Sequence, residues 1–508
     1  MRSRFFFGAA AITVALTGCS GGDDAGGAGG GGGGPPEPTT VSFPAGFLWG
    51  AATAGFQVET GLDATDWGVW AMTPGKIQNG DDPNQGPDAF AHVDEDVGDL
   101  VAAGLNAYRF SIEMARVYPT RDAFDQDQPD PDGIAKYDAL FAALAKRHVT
   151  PLVTLHHFVW PTWMSDPTKS ASPQGWERSD AVDVFATWCQ RMGKRYGDRV
   201  DWWVTINEPT VEASVGYLAT LWPPGVSDVD RMVHVMKQQV TAHARCYDML
   251  HGSDTVDADG DGAKVKVSIA KHNRVYEPAD ATSAEDADAA KHSDYFWNLW
   301  FLNAIVKGDV DEGFDGTIGP KDEHADPSLA GRADYLGINY YGVSQVSAKS
   351  LRLPYLGSQP SQFGLEDGRP KNDLGWSIDP EGFGTVLDEA AGYGLPIVVT
   401  ENGIADALDE NRSRFLLEHA FQMGLAIRRG DPVIGYFHWA LMDNFEWASG
   451  YCPRFGLYAV DETKADRPRT PTKAVSVLAA MTKASAVAQK TIDALPAYVS
   501  QPKSCASF

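Results

Sequence analysis

Short apolar runs alternate along the chain with longer stretches in which apolar positions return every three to four residues. The short runs fall at 47–51, 105–111, 151–157, 202–207, 265–270, 335–340, 397–400 and 435–440. Several are apolar on both faces, as strands buried between two layers must be. The longer stretches, among them 137–148, 181–196, 232–250 and 412–428, carry the 3.6-residue period of amphipathic helices. Eight such alternations, with no second linker or compositional break after residue 41, predict one α/β domain over 41–508, a (β/α)8 barrel with extended βα loops.

A barrel of this kind assembles its site from the carboxyl ends of its strands, so the residues closing each apolar run matter most. In order they are Arg109, His157, Asn207 with Glu208, Asn339 with Tyr341, Glu401, and Trp439 with Glu446. Any one could be an ordinary loop-start residue; all of them together point to a site. Two of them, Glu208 and Glu401, are glutamates directly at strand ends, which suits glycosidic cleavage: one carboxyl protonates the leaving oxygen and the other meets the positive charge developing at the anomeric carbon. Trp160, Trp163, Trp439 and Trp447 offer faces on which a sugar could stack, though tryptophan is also common in cores.

Composition narrows the field. The 42 Lys and Arg against 68 Asp and Glu leave a formal charge of −26, a poor surface for nucleic acid. At the amino end, Arg2 and Arg4 precede an apolar run at 5–16 that is too short to span a bilayer, the pattern of a secretory signal peptide over 1–18. Within a linker over 19–40, the glycine-rich tract at 20–34 reads as a flexible tether, about 20 Å long as a random coil of about 15 residues, and Pro35, Pro36 and Pro38 stiffen its end. Export permits disulfides. Cys189 and Cys246 fall within helical patterns and are expected as buried free thiols, whereas Cys452 and Cys505, in loop-like sequence, could pair. Residues 257–262, DADGDG, begin like a calcium loop, but the twelfth position holds Ser268 where glutamate would be needed, so a solvated acidic turn is expected and no metal site.

The chain resembles the family 1 glycoside hydrolases, the β-glucosidase and β-galactosidase family. The resemblance runs through FPAGFLWGAATAGFQVE (43–59), LNAYRFSIE (105–113), TLHHFVWPTW (154–163), GDRVDWWVTINEP (197–209), YLGINYY (335–341), IVVTENG (397–403) and FHWALMDNFEWASGYCPRFG (437–456). It implies a retaining mechanism with Glu208 as acid/base and Glu401 as nucleophile, the two carboxyls about 5 Å apart, and no cofactor. Asn207 then resembles the residue bonding the sugar 2-hydroxyl, and Arg109 and Tyr341 the pair orienting Glu401, with Asn339 beside them. Gln57, His157, Trp439 and Glu446 match positions that read the sugar, with Trp447 and Phe455 their neighbours. An acidic Glu446 argues against a 6-phosphate, and the glutamate of N-E-P against a thioglucosidase. The expected partner is a β-linked glycoside or oligosaccharide.

Leu16-Thr17-Gly18-Cys19 looks like a bacterial lipobox, which implies acylation of Cys19 and a lipid anchor in the cell envelope, with Ser20 favouring the outer membrane; plain secretion or a periplasmic location is the alternative. Departures from the family pattern occur at His156-His157-Phe158 and across 111–116. The same scaffold could also serve a transglycosylase or a non-catalytic surface carbohydrate-binding protein.

Overall fold

The structure is a computed structural model that describes residues 38–361, 367–500 and 505. The signal peptide, Cys19 and the glycine-rich tract lie outside the described residues. Eight parallel strands close into a barrel: β1 (Leu48–Ala52), β2 (Ala107–Ser111), β3 (Thr150–Thr154), β4 (Trp202–Asn207), β5 (Lys266–Pro278), β6 (Leu336–Val346), β7 (Ile397–Asn402) and β8 (Val433–Trp439). Each pairs with the next in sequence, and β8 closes on β1 through Gly435 to Trp439 opposite Leu48 to Ala52. Every residue of β2, β4 and β7 is buried, the physical reason their runs carry no polar alternation.

Helices return the chain outside the barrel, chiefly α1 (Val93–Ala102), α2 (Pro131–Lys146), α3 (Ala181–Tyr196), α4 (Pro209–Tyr217), α5 (Val229–Ser253), α6 (Ala284–Asp294), α7 (Pro380–Ala391), α8 (Arg412–Arg429) and α9 (Lys473–Ala484). The periodic pattern places α3 to the residue, whereas α2 begins six residues before its expected start at 137. Its first turn, Pro-Asp-Gly, carries no apolar signal; it is set instead by Asp130, whose side chain accepts from the Gly133 N–H at 2.7 Å, and by Pro131 in the first turn. At the other end of the barrel wall, Gly430 stops α8 at φ 111°, a conformation other residues seldom adopt. Near the chain's amino end, Thr40–Ser42 pairs antiparallel with Ala486–Ala488.

Strands β5 and β6 run well past their expected ends. The apolar pattern stops at Ala270 because Lys271-His272-Asn273-Arg274 follows, yet pairing continues to Pro278 opposite Val346. All four of these polar residues are buried.

The cysteine expectation is corrected. Cys189 on α3 and Cys246 on α5 form a disulfide with Cα atoms 5.4 Å apart, because the two helices pack side by side. Periodicity reports which face of a helix is buried but not which helix it faces. Cys452 and Cys505 are also joined. At 257–262 the turn is held by its own backbone: Asp257 accepts from Gly260 and Gly262, Asp259 from Asp261, and Lys266 pairs with Asp259 and Asp261. Among the described residues no helix is long and apolar enough to cross a membrane.

Candidate active site

Arg109 on β2 is wholly buried and its guanidinium organises the barrel mouth. Nη1 donates to Glu401 Oε1 at 2.6 Å and to the Thr400 carbonyl at 3.1 Å, Nη2 to Asn207 Oδ1 at 2.7 Å, and Nε to Thr154 Oγ1 at 3.1 Å. Three other strands, β3, β4 and β7, are thereby tied to this one side chain of β2. Tyr341, near the barrel end of β6, donates its hydroxyl to the other Glu401 oxygen, Oε2, at 2.7 Å. Glu401 thus receives a donor on each oxygen, the arrangement that favours a carboxylate over an acid.

Glu208 follows β4 with left-handed backbone at φ 42°, ψ 58°, and its N–H is held by the Ala270 carbonyl at 2.7 Å. Such a conformation costs a non-glycine residue roughly 1–2 kcal/mol, and Pro209 then starts α4 in its wake. One carboxyl oxygen accepts from Asn339 Nδ2 at 2.7 Å; the same amide lies 3.2 Å from Asn207 Oδ1, and Asn339 Oδ1 accepts from Thr400 Oγ1 at 2.6 Å. Asn339 therefore has its orientation fixed from one side and presents its amide to Glu208 on the other.

Glu208, Glu401, Asn207, His157, Tyr341, Trp439, Glu446, Trp447 and Phe455 all line one cavity of about 160 Å³. Burial, reinforced by the charge of Glu401, pushes the Glu208 carboxyl up to about 8. Burial also raises Glu401, but Arg109 and Tyr341 pull in the opposite direction, so Glu401 is the carboxyl of the pair that ionises first. Glu446 is pushed up to about 8 by burial and by Glu401. Behind it, Gln57 Nε2 lies 3.1 Å from Glu446 Oε2 and is shared with Asn444 Oδ1 and the Phe445 carbonyl, each at 3.0 Å.

His157 is kept neutral by burial and by the charge of Arg109. Its Nε2 lies 3.1 Å from Asn207 Nδ2, which as an amide N–H can only donate, so the ring proton belongs on Nδ1. Among the described residues, Nδ1 and Gln57 Oε1 are both buried without a hydrogen-bond partner, one a donor and the other an acceptor, which is what a hydroxylated ligand would satisfy.

Two expectations are corrected. Trp160 is buried against His156 and Trp176, and Trp163 donates its indole N–H to the Tyr118 carbonyl at 3.0 Å; neither lines the cavity, because the β3 loop turns both into the surrounding packing. The His156 departure has a structural cause: its Nε2 sits 3.0 Å from Glu212 Oε1, and Glu212 Oε2 also accepts from Trp176 and Gln239. Within 111–116, Glu113 accepts from Ser111 at 2.7 Å, and a side chain at Gly55 would collide with it at 2.6 Å. Sequence reasoning missed Asn444, Trp222, Trp297, Trp376, His272 and Arg274. Asn444, inside the DNFEW stretch, had the strongest signal.

A model of the family described as "Glycosyl hydrolase family 1" matches residues 39–486. A "Beta-galactosidase" of Pyrococcus woesei is 33% identical over 496 residues, covering 86% of this chain and 96% of that relative. "Beta-glucosidase A" of Thermotoga maritima is 33% identical over 447 residues, covering 84% and 94%. Among solved structures, the "Beta-glucosidase from Thermotoga maritima in complex with glucoimidazole" superimposes with a TM-score of 0.76 at 29% identity, over 87% of this chain and 99% of that one.

Proposed function

The chain belongs to glycosyl hydrolase family 1 and is a retaining β-glycosidase; we propose that it hydrolyses terminal β-glucosides, with Glu401 as nucleophile and Glu208 as acid and base. The observation that carries the assignment of roles is the asymmetry between the two carboxyls. Glu401 is clamped by Arg109 at 2.6 Å and Tyr341 at 2.7 Å, while Glu208, with its carboxyl pushed up to about 8, holds a proton at neutral pH.

In the first step Glu401 Oε attacks the anomeric carbon as the bond to the aglycone oxygen breaks. The departing oxygen takes the Glu208 proton, leaving a glycosyl ester on Glu401 and a carboxylate at Glu208. The ester has no negative charge, so the repulsion that favoured protonated Glu208 is gone, and the new carboxylate can serve as a base. It takes a proton from water as that water attacks the anomeric carbon and the ester bond breaks. Two inversions leave the β configuration in the product. In this reading Asn207, held by Arg109, bonds the sugar 2-hydroxyl, while His157, Gln57 and Glu446 supply the remaining polar contacts and Trp439 a stacking face.

Hydrolysis of aryl β-glycosides separates the roles. Glu401→Gln is expected to reduce turnover of every substrate to background. Glu208→Ala is expected to lose about 10²–10⁴-fold on substrates needing protonation and less on those with good leaving groups, with azide restoring turnover and yielding β-glycosyl azide. Wild-type-like turnover by Glu401→Gln, or an α-linked azide product, would overturn the assignment.

A further inference from the structure

Among the described residues, the other buried arginine side chains face carboxylates: Arg109 meets Glu401 at 2.6 Å, Arg412 meets Asp409 at 3.0 Å and Arg469 meets Asp96 at 2.7 Å. Arg274 is the exception. It is 4% exposed, yet among the described residues no carboxylate lies within ion-pair distance, and its Nε has no hydrogen-bond partner. Only its backbone is tied down, the N–H donating to Asn298 Oδ1 at 3.0 Å and the carbonyl accepting from Asn298 Nδ2 at 2.7 Å. A guanidinium keeps its charge in almost any surroundings, so burying one without a counter-charge is costly.

Arg274 lines the same cavity as Glu208 and Glu401. It lies on β5, the strand next to the one that delivers Glu208, and Glu208 is the cavity carboxyl whose charge reaches it. That carboxyl is neutral in the free enzyme on the reading above and cannot serve as its counter-ion. Around Gln57 and Glu446, where the sugar is read, there is no such unpaired cation among the described residues. Glu208 protonates the departing oxygen, so groups beside it on β5 meet the aglycone. Trp297 and Trp376 line the cavity as well and add apolar faces.

We propose that Arg274 binds an anionic group on the aglycone, so that this enzyme prefers β-glycosides whose leaving group is an aromatic ring bearing a carboxylate. The planar fork of the guanidinium matches a carboxylate in a two-point contact, and the indoles suit the ring that carries it. The inference rests on the glycosidase reading above and specifies its substrate class.

The test compares kcat/KM for meta-carboxyphenyl and meta-carboxamidophenyl β-glucosides, taken as a ratio within each enzyme so that any general loss of rate cancels. In the wild type the carboxylate is expected to lead by at least about tenfold, mainly through KM. Arg274→Gln is expected to bring the ratio near one, and Arg274→Lys to keep part of it. Equal ratios in the wild type, or a preference that survives in Arg274→Gln, overturn the proposal. Should that variant fail to fold, wild-type inhibition by meta-hydroxybenzoate against meta-hydroxybenzamide decides: about tenfold tighter binding of the carboxylate supports it, equal binding overturns it. Turnover of neither glycoside by the wild type would instead overturn the glycosidase reading and this inference with it.

Discussion

Burial pushes Glu208 and Glu401 in the same direction, and what separates them is the company each keeps. Arg109 and Tyr341 both address Glu401, whereas Glu208 has an asparagine amide and a negative neighbour. On the proposed roles, the activity of the free enzyme needs Glu208 protonated and Glu401 ionised. As pH rises, Glu208 loses its proton near 8, so kcat/KM on a substrate with a poor leaving group is expected to fall tenfold per pH unit above that point. As pH falls, protonation of Glu401 removes the nucleophile and forms the acidic limb. A profile that stays level to pH 10 would contradict the role given to Glu208. The sequence reveals these two glutamates because each ends an apolar run. Arg274 was hidden because the polar tetrad from Lys271 to Arg274 looks like a loop until the barrel encloses it.

At the scale of elements, α3 and α5 lie against each other and are joined through Cys189 and Cys246, 57 residues apart in sequence. Closing a loop of that size restricts the unfolded chain and is worth about 2–4 kcal/mol. The paired replacement of both cysteines by alanine is expected to lower the urea midpoint accordingly while leaving glycoside turnover in place, since neither residue approaches the cavity. An unchanged midpoint would contradict a native bond between them. Strand and helix positions such as β4 and α3 were readable from period alone. Their partners were not: the extensions of β5 and β6, and this disulfide, depend on which element packs on which, and no local pattern carries that.

Over the whole molecule, closure of the barrel joins residues that the chain keeps far apart. Arg109 and Glu401 are 292 positions apart, and Gln57 and Asn444 are 387. Eight alternations in the sequence were enough to foretell the barrel, and the barrel was enough to foretell that strand-end residues converge. The βα loops follow no such rule, which is why the sequence left Trp160 and Trp163 between cavity and core, where the structure puts them in the packing, and did not reveal Trp222 and Trp376. The central claim is that this convergence produces a covalent glycosyl-enzyme on Glu401. Incubation with a 2-deoxy-2-fluoro-β-glucoside carrying a good leaving group slows both steps, and the good leaving group lets the first step outrun release. Mass spectrometry of the digested protein is then expected to find one fluoroglucosyl group, carried by the peptide containing Glu401. An unlabelled protein that nonetheless turns over ordinary β-glucosides, or a label on another residue, would contradict it.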